Sequence, residues 1–303
     1  MKIRKALERA RDERKDSILK APIKGEPLEA EKESQRRMNR SQYKNEKAFN
    51  SPGDTKMKGD EWIPPKYSES KIIKLNLHKL KKSRCVGMFP NIPETEAYKV
   101  LRIQILQRTR ERDLNTVMIT SALPGEGKTL TSINTALSLA KEFNQTVLLV
   151  DCDLKKQNVH KYFGFSSDNG LVNYLENDHM LKDLFIWPGI EKFTLISGGE
   201  TVNNSSEYLG SPKMKDLVNE LKTRYDDRYV IFDTPPVLSG ADTITLAPLV
   251  DSIIMVVEAG RTSIYDVKKA LELIPQEKFL GFVLNRHNSK IAKYVYGYQR
   301  PEN

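Results

Sequence analysis

The chain has 303 residues, with 49 Lys and Arg against 40 Asp and Glu, a net charge of +9, and two cysteines. Cys85 and Cys152 have no metal-ligand spacing, which excludes a disulfide framework and a zinc site. No apolar run reaches the roughly eighteen residues that a membrane helix needs, and MKIRKALERARDERK carries no signal core, so a cytoplasmic, soluble protein is expected.

The charge is uneven. Residues 1–90 hold 24 of the 49 basic residues and 13 of the 40 acidic ones, so the basic excess belongs to the first third. Within residues 1–20, Ile3, Ala6, Leu7 and Ala10 have helical spacing on a heavily charged segment. This reads as a marginal, solvated helix or as a small docking helix. Residues 21–66 are rich in Pro, Gly, Ser and Asn with mixed charges, the composition of a flexible linker. Because Glu and Asp interrupt its basic residues, no nucleic-acid partner is expected.

Order is expected from Ser70, where Ile72, Ile73, Leu75, Leu77 and Leu80 appear. A helix is predicted from Pro93 or Glu94 to about Arg110, with Ala97, Val100, Leu101 and Ile105 as its apolar face. A helix over Thr129–Lys141 and a strand over 147–151 come next. A short helix (Leu171–Glu176), a strand (Phe193–Ile196) and a long helix (Ser206–Tyr225) follow. Then come a strand at 229–233, a helix near Thr243–Leu249, a strand at 252–258, a helix at Ile264–Ile274 and a strand at 279–285. Strands that are apolar throughout and alternate with helices specify an α/β fold, a mostly parallel sheet covered on both faces. Functional loops then lie at the carboxyl ends of the strands.

Residues 117–129, VMITSALPGEGKT, place a Gly-rich turn between an apolar strand and a helix, the setting of a phosphate-binding P-loop. Gly125 and Gly127 let backbone N–H groups converge on phosphate oxygens, and the helix dipole adds positive potential there. Lys128 would reach the β- and γ-phosphates, and the Thr129 hydroxyl would ligate Mg²⁺. Ala122 stands where the usual first glycine would be. Two later strands end in aspartate: VLLVDCD carries Asp151 and Asp153, whose D-x-D spacing is expected to set both side chains on the same side of an extended segment, and VIFDTPP carries Asp233. Beside a P-loop, such carboxylates can hold Mg²⁺ through its waters and orient or deprotonate an attacking hydroxyl. Cys152 is expected to point into the sheet and has no His partner.

These three motifs, in this order, resemble those of the bacterial tyrosine kinases of exopolysaccharide and capsule synthesis, over about residues 70–300. The resemblance implies a P-loop NTPase fold with Walker A at Ala122–Thr129, Walker A′ at Asp151 and Asp153, and Walker B at Asp233. Pro124, Gly125, Glu126, Gly127, Lys128, Thr129 and Leu130 would form the ATP cradle, with Thr129, Asp151 and Asp233 on the metal and Asn285 near the adenine. Partitioning ATPases of similar fold carry a second lysine where this chain has Leu123. ETEAYKVLR resembles the family's ring-assembly helix motif through Glu96, Lys99 and Arg102, with a lysine in place of one arginine. Lys155, Lys156 and Gln157 replace an Arg-Pro pattern that usually follows the second aspartate of Walker A′.

The last residues, KYVYGYQRPEN, alternate Tyr294, Tyr296 and Tyr298 and resemble a sparse version of the family's phosphorylated tyrosine cluster. About nine residues beyond Asn285, such a tail reaches roughly 30 Å when extended. An edge strand on its own domain is the other reading of these tyrosines. The expected organisation is a basic N-terminal extension (1–69), a kinase domain (70–288) and a tyrosine tail (289–303). The expected activity is Mg-ATP-dependent tyrosine autophosphorylation in trans within a homo-oligomeric ring, regulating polysaccharide polymerisation and export. The implied partners are a transmembrane chain-length activator, which would hold the protein at the membrane, and a tyrosine phosphatase. A non-kinase ATP-binding assembly switch, or a partitioning-type ATPase, is the alternative.

Overall fold

The computed structural model describes residues 70–287 except 91, 177 and 178, all within the unit Ser51–Asn303. The expected extension (1–69) and tail (289–303), with Tyr294, Tyr296 and Tyr298, lie outside the described residues.

Among the described residues eight strands form one sheet: β1 (Lys71–Ile72), β2 (Thr116–Ser121), β3 (Thr146–Asp151), β4 (Ile186–Trp187), β5 (Phe193–Ile196), β6 (Arg228–Asp233), β7 (Ser252–Glu258) and β8 (Phe279–Asn285). Their order is β1-β4-β5-β3-β6-β2-β7-β8, and all pairings are parallel except β4 with β5. The central strands β2, β3 and β6 are buried at every position. Their alternate residues feed two cores. Met118, Leu148, Val150, Val230 and Phe232 face one side, and Val117, Ile119, Leu149, Tyr229 and Ile231 the other. Each large side chain buried in this way contributes roughly 1.5–3 kcal/mol, which is why these runs lack the polar alternation of a one-sided sheet.

Helices cover both faces. α1 (Leu77–Lys82), α2 (Pro93–Thr109), α3 (Lys128–Leu139) and α4 (Val159–Phe163) pack on the second core. α5 (Leu171–Glu176), α6 (Ser205–Leu209), α7 (Pro212–Thr223), α8 (Asp242–Leu246) and α9 (Ile264–Glu272) pack on the first.

The structure corrects two predicted elements. The long helix over Ser206–Tyr225 is two helices, because Gly210-Ser211-Pro212 breaks it. The Ser211 side chain caps α7 by accepting from the Met214 N–H, and Pro212 takes the first turn. In α2 the buried positions are Thr95, Ile105, Leu106 and Thr109, whereas Ala97 is exposed and Val100 is 45% exposed. Ala97 and Val100 instead border a groove between α2 and the outer edge of β8. Four short elements, β1, α1, α4 and β4, are too brief to give a periodic signal in sequence.

Candidate active site

The parallel order sets the carboxyl ends of β2, β6 and β3 side by side, with Asp151 directly opposite Asp233 in register. The loop between β2 and α3 crosses these ends. It turns at Gly125 (φ +84°) and Gly127 (φ +94°), left-handed values that a residue with a Cβ adopts only under strain. Ala122 is fully buried with no positive φ, so its methyl group packs in the core where a glycine would leave space. Pro124, Gly125, Gly127, Lys128, Thr129 and Leu130 line a cavity of about 680 Å³. Asp153, Pro235 and Arg286 lie on its other walls.

Glu126 does not line this cavity. It is 1% exposed; its carboxylate accepts from the Leu123 N–H at 2.7 Å and from the Thr262 hydroxyl, tying the loop to itself and to the segment after β7. The Asn285 side-chain amide donates to the Glu126 carbonyl at 2.8 Å. Both residues expected to touch nucleotide are thus engaged in bracing the loop.

Lys128 pairs with Asp153 at 2.7 Å, and both side chains are nearly buried. Burial pulls the Lys128 ammonium down, but Asp233 and Asp153 outweigh it and hold its pKa above the usual lysine value. Asp233 is fully buried. One of its oxygens accepts from the Ser132 hydroxyl at 3.0 Å, and Oδ2 has no partner among the described residues. Burial raises the Asp233 pKa, while Lys128 opposes the rise. Asp151 is also fully buried, and burial and the facing Asp233 push it up to about 8. Its carboxylate accepts from the backbone N–H groups of Asp153, Asn158 and Val159, so it organises the loop after β3. The D-x-D spacing therefore separates two roles: Asp151 turns to the loop, and Asp153 turns to the cavity.

Two buried carboxylates with one orphaned oxygen, beside the Thr129 hydroxyl, fit a divalent cation. Among the described residues no three or more His, Cys, Asp or Glu side chains converge as an all-protein metal cage.

Of the three residues expected in ring assembly, Glu96 and Lys99 pair on the exposed face of α2 at 2.6 Å. Arg102 turns inward, donating to the Ser138 carbonyl at 2.9 Å and pairing with Glu142 at 2.9 Å. It is a strut within its own domain. Sequence reasoning missed Lys161, Tyr162 and Arg286 on the cavity wall, and Ser132, which donates to Asp233. Ser132 lies one turn into α3, on the face that the Lys128 position already fixes. Cys152 is buried and free, as expected.

Among the described residues no helix is long and apolar enough to cross a membrane. Residues 115–281 match the family model described as an AAA domain. The tyrosine-protein kinase YwqD of Bacillus subtilis (strain 168) is 34% identical over 212 residues, 69% of this chain and 87% of YwqD. The VpsO kinase domain superposes with a TM-score of 0.58 at 36% identity, covering 65% of this chain and 96% of that one. The kinase domain of the Escherichia coli tyrosine kinase ETK superposes with a TM-score of 0.62 at 29% identity, covering 71% and 84%. With a relative of this similarity matched along most of its length, the chain belongs to the bacterial tyrosine-protein kinase family.

Proposed function

We propose that the protein transfers the γ-phosphoryl group of ATP to tyrosine hydroxyls, including those of Tyr294, Tyr296 and Tyr298 on a neighbouring copy. The observation carrying this reading is the buried Lys128–Asp153 pair, which joins the phosphate loop to a carboxylate on the cavity wall.

In this reading the N–H groups around Gly125 and Gly127, with the end of α3, hold the phosphates. Lys128 neutralises charge on the β- and γ-phosphates. Thr129 and Asp233 would hold Mg²⁺, with Asp151 opposite Asp233 on the neighbouring strand. The bound ion would neutralise charge developing on the phosphoryl oxygens. A tyrosine hydroxyl titrates near pH 10 and needs a base, and in this reading Asp153, on the cavity wall, takes its proton. The phenolic oxygen then bonds to the γ-phosphorus, the bond to the bridging oxygen breaks, and ADP leaves.

The partners proposed are further copies of the chain, a transmembrane activator that brings it to the membrane and a tyrosine phosphatase. The process served is polysaccharide export. The extension (1–69) and tail (289–303) are proposed as separate from the catalytic unit. Incubation with Mg-ATP and phosphosite mapping test the activity. Tyrosine modification that disappears in Lys128→Met is expected. Hydrolysis of ATP with no phosphotyrosine would favour an assembly switch.

A further inference from the structure

The nucleotide cavity does not end at Asp153. Lys155, Lys156, Asn158 and Lys161 line it and also a second cleft of about 760 Å³, so the two share a wall. Three lysines border this second cleft, and Glu200 is its one carboxylate among the described residues. Lys155 is already engaged with the buried Asp242 at 3.3 Å. Lys156 and Lys161 have no carboxylate partner among the described residues, and the Lys161 ammonium donates to the Asn158 side chain at 3.0 Å. Each is exposed. The backbone holds them in place: Asp151 accepts from Asn158 and Val159, and Asp153 Oδ1 accepts from the Lys156 N–H at 3.1 Å. The aspartates of the site thus fix the loop that presents the lysines.

Such a cleft selects against the chain's own tail as translated. Residues 288–303 hold Lys290, Lys293 and Arg300 against Glu302, a basic segment. One phosphotyrosine adds about −1.5 to −2 charges and three strong acceptor oxygens, which brings the segment close to neutral and gives it a local anion. Tyr294, Tyr296 and Tyr298 are two residues apart, so in an extended tail neighbouring tyrosines would be separated by roughly 7 Å and the first and last by roughly 13 Å. That is the scale of adjoining cavities of this size.

We propose that the Lys156–Lys161 cleft binds an anionic side chain, a phosphotyrosine or a carboxylate, on the polypeptide whose acceptor tyrosine occupies the nucleotide cavity. This rests on the kinase reading of that cavity. The first phosphorylation is then slow, and it primes the next on the same tail. External substrates carry acidic residues two to four positions from their tyrosine.

The test uses the full chain and synthetic peptides of residues 288–303 with Tyr296→Phe. One keeps Tyr298, one carries phosphotyrosine there, and one carries Tyr298→Glu. Fluorescence anisotropy in the presence of ADP measures binding, and Mg-ATP assays measure KM for phosphorylation of Tyr294. The phosphorylated peptide is expected to bind about tenfold more tightly than the parent, with the preference weakening as salt rises. Lys156→Glu/Lys161→Glu should remove that preference, and Lys156→Ala/Lys161→Ala should reduce it. If the Glu peptide gains as well, a carboxylate suffices; if only the phosphopeptide gains, the anion is phosphate. Equal binding of all three peptides, or a preference untouched by the double variants, overturns the proposal. Failure of every peptide to be phosphorylated would instead contradict the kinase reading, while the anisotropy still decides whether the cleft binds anions.

Discussion

Gly127→Ala offers the sharpest test of how the phosphate loop is held. At φ +94° an alanine incurs backbone strain of about 1–3 kcal/mol. Its Cβ would also lie 2.1 Å from the Asn285 side-chain nitrogen, so that amide must move and release the Glu126 carbonyl it holds at 2.8 Å. Losing that bond adds about 1 kcal/mol. The total, about 2–4 kcal/mol, is a cost of holding the loop in this shape; a variant loop that relaxes when empty and is re-formed by nucleotide loses affinity by roughly 30-fold or more. Titration of a fluorescent ATP analogue measures it. The second variant, Asn285→Ala, loses the same bond alone and should cost about 1 kcal/mol. Because the two changes share that bond, the double variant should fall short of additivity by about 1 kcal/mol. Additive effects, or wild-type affinity in Gly127→Ala, would refute the bracing of this loop by β8.

Arg102→Ala should lower stability by about 1–2 kcal/mol in denaturant unfolding, since it removes a partly buried strut, whereas Glu96→Ala and Lys99→Ala should stay within about 0.5 kcal/mol. If the exposed pair serves assembly, sedimentation will show Glu96→Ala and Lys99→Ala shifting towards smaller species with their fold intact. Burial pushes the Cys85 thiol up to about 12 and the Cys152 thiol well above its usual value, so neither should react with a thiol reagent in native buffer at pH 8. Fast native labelling of Cys152 would mean that the end of β3 is open. Asp151 has a folded pKa of about 8, above its ordinary value near 4, so it holds its proton more tightly folded than unfolded. Its contribution is therefore full at low pH and is lost as pH rises from about 4 through about 8. In EDTA without nucleotide, Asp151→Asn should flatten the fall in stability over that window, and parallel profiles would contradict the assignment.

Much of the fold was legible because its central strands are short, unbroken apolar runs that cannot face water on either side. Leu171–Glu176, Phe193–Ile196, 252–258 and 279–285 fall where the pattern put them. The periodicity at 206–225 hid a boundary, because Gly210, Ser211 and Pro212 act through local geometry and leave the apolar spacing intact. In α2, Ala97 and Val100 joined the apolar pattern, yet Arg102 took the inward place with a long side chain that reaches two acceptors. The order of motifs identified the phosphate loop and the flanking aspartates. The D-x-D spacing set Asp151 and Asp153 on one side, but the two diverge, because Asp153 lies beyond the end of the strand, where strict alternation no longer applies. Glu126, Thr262 and Asn285 are distant in sequence, and only the return of β8 beside β7 brings their network together.

Phosphoryl transfer between copies can be measured directly. A Lys128→Met chain with its tyrosines intact can be mixed with a chain carrying Tyr294→Phe, Tyr296→Phe and Tyr298→Phe, then given Mg-ATP. Phosphotyrosine is expected on the tail of the Lys128→Met chain in the mixture and on neither chain's tail when each is incubated alone. ATP consumption in the mixture with no phosphate on that tail would contradict it.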